Sequence, residues 1–320
     1  MKMTVKSFFK LVEIQTKVAS VIPYLLGLSY TLYHFQRLNA INMIVMFFSM
    51  IIFDMSATAI NNYYDYTRAI KKHGYGYETH NSIGQNNLSI KSVRITIIMM
   101  IIISALLGLY LVYLTNWILL LFGALCFIIG IIYSYGPMPI SRTPFGEIFS
   151  GTTMGLGIPF IVLFINVFNQ DLININIANA QVFVDFDLFH IISIVVVSIP
   201  AIFCIANIML ANNICDIDED IENKRHTLPI VIGKKPALKL LASLYYLSYV
   251  AIIVAVIIKA LPIYSLIALL TIIPVRKNIA LFKSNPTKKD TFGAIVGCFV
   301  IMNIALILTI LIPAIIIALL

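Results

Sequence analysis

Charged side chains are scarce in this chain. Aspartate, glutamate, lysine and arginine make up 11% of its 320 residues, while hydrophobic residues make up 60%. A soluble domain carries about 25% charged residues, so this scarcity excludes a soluble globular protein. Cysteine is also scarce, and the four cysteines have no CxxC or paired spacing. That pattern argues against a disulfide framework or a thiolate metal site.

Long apolar runs take the place of the missing charge. A membrane-spanning helix needs about 20 mainly apolar residues, and nine such runs follow one another with short connections. The sequence therefore predicts an all-α membrane protein with nine transmembrane helices in one bundle, as a single polytopic domain over residues 1–320. We expect no cleaved signal peptide, because the first run continues directly into this pattern. The predicted spans cover about residues 18–35, 41–61, 94–115, 117–135, 146–168, 189–211, 236–258, 260–275 and 293–318.

Basic residues fix the predicted orientation of this bundle. With nine spans, 20 of the 22 lysines and arginines fall on one side, and only Arg37 and Lys259 fall on the other. Because cytoplasmic loops are enriched in basic residues, we expect a cell-membrane protein with its amino terminus in the cytosol and its carboxyl terminus outside. The net charge of +8 is then a feature of topology. No basic soluble face with stacking aromatics is left for a nucleic acid.

Two short strings repeat each other at the predicted cytosolic ends of spans two and six. Residues 61–65 read Asn-Asn-Tyr-Tyr-Asp and residues 212–216 read Asn-Asn-Ile-Cys-Asp, so both follow the pattern N-N-x-x-D. Each string begins one of the two long polar loops, at about residues 62–93 and 212–235. Polar side chains within or at the edge of a membrane helix mark a functional site by default. The repetition predicts that the two strings share one site.

The spacing places oxygen ligands along one side of each helix. At about 100° per residue, positions four, seven, eight and eleven apart lie along one side of a helix. Oxygen ligands without histidine or cysteine suit Mg²⁺, which is usually shared between carboxylates and substrate phosphates. The aligned residues are Asp54, Thr58, Asn61 and Asp65 in the first copy, and Asn212, Asp216 and Asp220 in the second.

Basic residues follow each string and are candidates to bind a diphosphate. Arg68 lies about one turn beyond Asp65, and Lys224 and Arg225 lie just past Asp220. Such cations neutralise phosphate oxygens through charge-assisted hydrogen bonds. Two alternatives stay open. The basic residues also suit a purely topological role, because they occur at the cytosolic helix ends of any membrane protein. The amides and carboxylates also suit helix caps or hydrogen bonds between helices.

These features resemble the UbiA superfamily of intramembrane aromatic prenyltransferases. Its members have nine membrane helices, with aspartate-rich motifs on the cytosolic loops after helices two and six. The first family motif, N-D-x-x-D-x-x-x-D, is matched at Asn61 and Asp65, while Asn62 replaces its second residue and Ala69 its last aspartate. The second motif, D-x-x-x-D, is matched over residues 216–220.

The second motif and its surroundings resemble the menaquinone branch of that superfamily. Residues 212–220 and the following Lys-Arg-His-Thr-Leu-Pro at 224–229 are similar to the pattern of that branch. Cys215 stands where the branch usually has arginine, and Asn223 where it has glycine. The Tyr-Ser-Tyr-Gly-Pro segment at 133–137 is also similar to that branch.

The resemblance implies an activity, a cofactor and two substrates. The reaction would transfer a polyprenyl group from polyprenyl diphosphate to 1,4-dihydroxy-2-naphthoate, with loss of the carboxylate, giving demethylmenaquinone. The cofactor would be Mg²⁺, and the site would face the cytosol. The implied catalytic residues and metal ligands are Asn61, Asp65, Asp216 and Asp220; the candidate diphosphate contacts are Arg68, Lys224, Arg225, Lys17 and Arg142; and the candidate contacts to the acceptor or the allylic cation are Asp54, Tyr64, Tyr133, Tyr135 and Glu147.

Several of these roles have an alternative. Each tyrosine also suits packing at the membrane interface, and Glu147 also suits a helix cap. Asp54 either assists deprotonation of the acceptor hydroxyl or orients Asn61. Glu78 or a water molecule would supply the oxygen that the first motif lacks at Ala69.

Other functions stay open at this point. A UbiA-type enzyme for 4-hydroxybenzoate, a haem precursor or chlorophyllide is one alternative, and only the 224–229 signature and the turn at 135–137 argue against it. A transporter or lipid flippase would carry polar residues to the outer leaflet, but residues 41–53 and 191–206 are almost wholly apolar. A membrane-embedded structural subunit leaves the paired strings unexplained.

Overall fold

The protein folds as a bundle of helices. Its computed structural model describes residues 3–68, 81–170, 172–178 and 181–319. Three short 3₁₀ segments and one π-helical turn connect or extend the α-helices. The 3₁₀ segments are Ile14–Lys17, Ile140–Arg142 and Ile263–Thr271, and the π-helical turn is Thr153–Gly157. The α-helices are α1 (Val5–Leu11), α2 (Val18–Phe35), α3 (Ala40–Arg68), α4 (Ser82–Gln85), α5 (Ile90–Leu114), α6 (Ile118–Ser134), α7 (Gly146–Thr152), α8 (Ile158–Val167), α9 (Leu188–Cys215), α10 (Ile217–Glu222), α11 (Leu228–Ile232), α12 (Lys234–Ile257), α13 (Ile272–Ser284) and α14 (Phe292–Leu319).

Seven helical segments among the described residues are long and apolar enough to cross a membrane, and each coincides with a predicted span. Two predicted spans differ from these seven. The first belongs to a pair, Val5–Leu11 with Ile14–Phe35, that is bent by 51°, and the fourth is the 17-residue helix Ile118–Ser134. The multi-pass membrane architecture is therefore confirmed, while the count of nine crossings stays a prediction.

The bend in the first span has a local cause. Glu13 adopts a φ of 47°, in the left-handed region that residues other than glycine rarely enter. This conformation separates α1, which carries exposed Val5 and Phe9 beside Lys6 and Lys10, from the apolar helix α2. An amphipathic helix of this kind suits the membrane interface.

The fold is helical, as predicted, and it also contains a two-stranded hairpin that the sequence did not predict. Strand β1 (Ile173–Ala178) pairs antiparallel with β2 (Gln181–Phe186), within the connection between predicted spans five and six. Ile173 and Ile175 of β1 pack against the core of the bundle, whereas β2 is exposed along its length. Isoleucines two residues apart fit the period of a strand with one buried face.

Helix packing repeats between the two halves of the chain. Each helix that carries an N-N-x-x-D string packs most extensively against the helix that follows its loop, α3 against α5 and α9 against α12. Close backbone contact also fixes α9 against the fifth span, where a Cβ atom at Gly155 would lie 2.5 Å from the backbone nitrogen of Ile202. Small residues allow such close approach between membrane helices. The two helices that carry the strings, α3 and α9, both line one cavity.

Candidate active site

A cavity of about 790 Å³ brings the two repeated strings together. Its polar lining includes side chains from both strings, and much of its apolar lining comes from α5, α6 and α8. This arrangement confirms that the strings share one cavity, as their repetition predicted. The polar group comprises Asn61, Asp65, Asn212, Asp216, Asp220, Arg142, Arg225 and Lys288, and the apolar group includes Leu109, Val112, Leu119, Leu120 and Ile161.

The first half-site is built on the last turns of α3. The Nδ2 atom of Asn61 donates to Oδ2 of Asp65 at 3.2 Å, and the hydroxyl of Ser134 donates to the other end of the Asn61 amide at 3.3 Å. Asn62 also lines the cavity, but its amide bonds to a different segment. Its Nδ2 donates to the Leu11 carbonyl at 2.9 Å and to Oε1 of Glu13 at 3.1 Å, so it fixes the bend before α2.

The second half-site repeats this arrangement at the end of α9. Asn212 donates to Oδ2 of Asp216 at 3.3 Å, as Asn61 does to Asp65. Asn213 turns back and donates to Oε1 of Glu147 at 2.8 Å, as Asn62 does to Glu13. In both strings, therefore, the first asparagine holds the aspartate and the second holds a glutamate of a neighbouring segment.

Three cations neutralise the aspartates of the two half-sites. Arg225 forms an ion pair with Asp65 and lies 3.5 Å from Oδ1 of Asp220. Arg142 lies 3.6 Å from Asp65, and the Nζ atom of Lys288 lies 2.5 Å from Oδ2 of Asp216. Each cation is therefore positioned beside a carboxylate of a site that would bind phosphate and metal.

Three residues of this site were not predicted from the sequence. Lys288 lies in the connection between α13 and α14, where its charge indicates only the topology. The hydroxyl of Thr227 donates to Oδ2 of Asp220 at 3.2 Å, and Glu13 lines the cavity beside Asn62. The position of Thr227 within the 224–229 signature is the sequence feature that could have identified it as a site residue. No local pattern marked Lys288 or Glu13.

The environment of Asp220 perturbs its ionisation. Its side chain is buried among the residues of α10 and the segment that follows. Burial raises the pKa of Asp220 to about 6, with Arg225 opposing this effect and the charge of Asp216 adding to it. Its ionisation therefore falls near neutral pH.

Several predicted contacts lie beside the cavity and do not line it. The Arg68 guanidinium is 4.5 Å from the centre of the Tyr64 ring and donates to the Gly136 carbonyl at 2.8 Å, and Tyr64 packs on Tyr135 at 5.4 Å. Lys224 is exposed at the end of α10, with a φ of 55°. None of these four side chains lines the cavity.

The remaining predicted residues take other positions. Tyr133 lines the cavity, and Glu147 is buried behind the second half-site. Lys17 pairs with Asp54, whose carboxylate also accepts from Ser20 and has no hydrogen bond to Asn61. Lys17 therefore lies with Asp54 instead of with the other cations. Glu78 and Ala69 lie outside the described residues.

The donor set fits a magnesium ion that is shared with a phosphate ligand. Among the described residues, no three histidine, cysteine or acidic side chains gather closely enough to hold a metal by themselves. The half-sites instead present carboxylate and amide oxygens on two sides of one cavity, which suits an ion that completes its shell with phosphate oxygens. The buried Nε atom of Arg225 has no hydrogen-bond partner in the described part of the chain, so a donor is available there for an anion.

Comparison with known proteins agrees with this geometry. The model of the UbiA prenyltransferase family matches residues 20–307. The 1,4-dihydroxy-2-naphthoate octaprenyltransferase of Bacillus subtilis (strain 168) is 30% identical to this chain over 251 residues, which cover 77% of this chain and 72% of that protein.

Solved structures share the fold. A UbiA homolog from Aeropyrum pernix K1 superposes with a TM-score of 0.69 at 16% identity, covering 92% of this chain and 98% of that chain. A UbiA homolog from Archaeoglobus fulgidus, bound to GPP and Mg²⁺, superposes with a TM-score of 0.65 at 15% identity, covering 95% of this chain and 99% of that chain. The family match and the similarity to the Bacillus subtilis enzyme confirm the resemblance carried by residues 61–65 and 212–220: this chain belongs to the UbiA prenyltransferase family.

Proposed function

We propose that this protein transfers a polyprenyl group from its diphosphate to 1,4-dihydroxy-2-naphthoate. The observation that carries the proposal is the pair of half-sites, joined by Arg225, at the polar end of an apolar cavity. A polar head with several negative charges and a long apolar tail would be complementary to these two regions. The name of the Bacillus subtilis relative supports the naphthoate acceptor, and the GPP and Mg²⁺ bound to the Archaeoglobus fulgidus homolog support the donor and the metal.

The bonds that change define the reaction. The bond between the allylic carbon and the diphosphate oxygen breaks, and a bond forms between that carbon and the ring carbon that bears the carboxylate. The carboxylate leaves as carbon dioxide, and its bonding electrons restore the aromatic ring. The products are diphosphate, carbon dioxide and demethylmenaquinone in its reduced, dihydroxy form.

The half-sites would stabilise the departing diphosphate. Mg²⁺, when bound, would neutralise negative charge that develops on the leaving group. The residues that would hold it are Asn61, Asp65, Asp216 and Asp220, all of which line the polar end of the cavity.

Side chains of the chain itself would complete the site. Arg142, Arg225 and Lys288 would exchange their carboxylate partners for phosphate oxygens, with which they form strong charge-assisted hydrogen bonds. The apolar lining would keep water from the allylic cation. Tyr133 would present its ring to that cation, a role that the placement of Tyr64 and Tyr135 does not favour.

Product analysis tests this function. Membranes that contain the protein are incubated with Mg²⁺, octaprenyl diphosphate and either 1,4-dihydroxy-2-naphthoate or 4-hydroxybenzoate, and the products are identified by mass. We expect a prenylated, decarboxylated naphthoquinol and no product with Asp216→Ala. Product from 4-hydroxybenzoate alone would identify a different acceptor. The absence of product from both acceptors would contradict the proposed transferase activity.

We further propose that the site faces the cytosol, with the amino terminus inside and the carboxyl terminus outside the cell membrane. The support is the distribution of basic residues, since the half-sites lie at the helix ends that carry most of them. A Lys289→Cys variant tests the orientation. An impermeant thiol reagent should label it in inverted vesicles, and labelling in right-side-out cells would contradict the assignment.

A further inference from the structure

A second polar cluster lies in the cavity wall, deeper than the first half-site. The Nζ atom of Lys17 is 2.7 Å from Oδ1 of Asp54 and 2.7 Å from the hydroxyl oxygen of Thr58. The hydroxyl of Ser20 donates to the other carboxylate oxygen of Asp54. The side chains of Lys17 and Asp54 are only 5% and 16% exposed. A charged pair is thus enclosed with two hydroxyl groups between α2 and α3.

The cluster faces the cavity at a different depth from the half-sites. Ser20, Asp54 and Thr58 line the same cavity as Asp65, and Lys17 lies behind them. Asp54 precedes Asn61 by seven residues and Asp65 by 11 on the continuous helix α3, which corresponds to about 10 Å and about 16 Å along the helix axis at 1.5 Å per residue. Thr58 lies between Asp54 and Asn61, so the cluster adjoins the first half-site and extends from it deeper into the cavity.

Packing of α2 against α3 does not require these charges. A buried ion pair gives up hydration that its mutual attraction only partly restores, and an apolar pair in its place is often neutral or stabilising. Ionisable residues within membrane spans are functional by default for the same reason. The proposed chemistry at the mouth of the cavity leaves this pair without a role.

The cluster offers hydrogen-bond acceptors next to an aromatic wall. Each carboxylate oxygen can accept more than one hydrogen bond, so Asp54 keeps accepting capacity beyond its bonds to Lys17 and Ser20. The stacked rings of Phe53 and Phe127, with centroids 4.0 Å apart, line the same cavity. Aromatic faces pack well against planar rings. A ligand that fits both features is an aromatic ring that bears a hydroxyl group.

We propose that Ser20, Asp54 and Thr58, backed by Lys17, form the docking site for a hydroxyl group of the aromatic acceptor. The inference rests on the proposed function, because it requires an acceptor in this cavity. The acceptor hydroxyl donates to the Asp54 carboxylate, and Lys17 acts as a positioning residue that holds this carboxylate in place. The ring then lies between the diphosphate half-sites and the cluster.

A binding comparison tests the docking site directly. Purified protein in lipid nanodiscs is dialysed to equilibrium under argon with 1,4-dihydroxy-2-naphthoate or with 2-naphthoate, which lacks both hydroxyl groups. We expect the wild type to bind the diol about tenfold or more tightly, since a hydrogen bond to a charged group carries that preference. The double variant Lys17→Met/Asp54→Val should bind both ligands equally while its Mg²⁺-dependent binding of geranyl diphosphate stays within twofold. A preference retained in the double variant, or absent from the wild type, would overturn the proposal.

A milder variant keeps the test decisive if the double variant does not fold. Ser20→Ala removes a neutral hydroxyl that bonds to Asp54 and leaves the ion pair intact. The KM for the acceptor should rise about threefold to tenfold, with the KM for the prenyl diphosphate unchanged. Ser29→Ala, which removes a bond within α2 to the Leu26 carbonyl, is the matched control and should change neither. An unchanged acceptor KM in Ser20→Ala would overturn the docking site.

Failure of the docking site and failure of the proposed function give different results. Turnover of the naphthoate by a wild type that binds both ligands equally would remove the docking site alone. Absence of naphthoate turnover together with turnover of another hydroxylated aromatic would remove the proposed acceptor. The same comparison with that acceptor and its hydroxyl-free analogue would then decide the docking site.

Discussion

The guanidinium of Arg225 donates a hydrogen bond to the carboxylate of Asp65, although the two residues are 160 positions apart in the chain. The same guanidinium lies 3.5 Å from Asp220. One side chain that follows the second motif therefore joins the aspartate of the first motif to the last aspartate of the second. This connection makes the two strings halves of one site.

Removal of this connection should impair donor binding and turnover together. We expect Arg225→Met to lower kcat/KM for the prenyl diphosphate by about 100-fold or more, because the variant loses a phosphate partner and leaves Asp65 and Asp220 without their shared cation. Steady-state kinetics with varied donor measure the effect. Lys235→Gln, at an exposed position at the start of α12, is the control and should stay within twofold. Wild-type kinetics in Arg225→Met would contradict this role.

Lys288 should compete with the metal for Asp216. Since its Nζ atom lies 2.5 Å from the Asp216 carboxylate, a cation that binds there must displace it. Lys288→Met should therefore bind Mn²⁺, a spectroscopic substitute for Mg²⁺, more tightly than the wild type in the absence of diphosphate, while its KM for the donor rises about tenfold. Electron paramagnetic resonance reports the free metal. The neighbouring Lys289→Met should change neither quantity, and weaker metal binding in Lys288→Met would contradict the competition.

Metal affinity should depend on pH through Asp220. Burial raises the pKa of Asp220 to about 6, so its carboxyl group is mainly protonated below that pH and mainly ionised above it. A metal needs the ionised form, and the Mg²⁺ concentration for half-maximal donor binding should rise up to about tenfold per pH unit below pH 6. A titration from pH 8 to pH 5 measures this change. Asp220→Asn should lose this pH dependence of the Mg²⁺ requirement. A pH profile in that variant that matches the wild type would assign the effect to another group.

The apolar part of the cavity should set an upper limit on prenyl length. Gly123 on α6 lines the cavity, and a Cβ atom added there meets nothing within 4 Å. Gly123→Phe should therefore fold and fill this space. Turnover of octaprenyl diphosphate should fall about tenfold or more while geranyl diphosphate is still used, because additional volume in a tunnel excludes the longer chain first.

A control on the same helix separates this effect from general disturbance. Leu121 is 52% exposed and does not line the cavity. Leu121→Phe should leave the ratio of octaprenyl to geranyl turnover unchanged. An unchanged ratio in Gly123→Phe would place the tail elsewhere.

The sequence predicted the parts of the site that depend on helical periodicity. Asn61 and Asp65 are four residues apart, as are Asn212 and Asp216, and both pairs form the hydrogen bond that this spacing allows. The repeated N-N-x-x-D strings likewise predicted one shared cavity. These features are local, so a single segment contains the information that determines them.

Other parts depend on contacts between distant segments. The glutamates that accept from Asn62 and Asn213 belong to the segments before α2 and at the start of α7, and no spacing rule connects them. Lys288 reaches Asp216 from the connection before the last helix. Tyr135 follows α6 and turns outward, half exposed, whereas Tyr133, two residues earlier, lines the cavity. Tertiary packing determines these positions, because the pattern within one helix does not show how that helix is rotated relative to its neighbours.

If the two half-sites bind one diphosphate, donor binding to single and double variants must show that the half-sites act as a unit. Radiolabelled geranyl diphosphate is titrated, with Mg²⁺, into wild type, Asp65→Ala, Asp216→Ala and the double variant in nanodiscs. We predict one donor per chain in the wild type, a loss of affinity of about 30-fold or more in either single variant, and little further loss in the double variant, because residues that act as a unit are not additive. Wild-type affinity in either single variant, or fully additive losses in the double variant, would contradict a shared site.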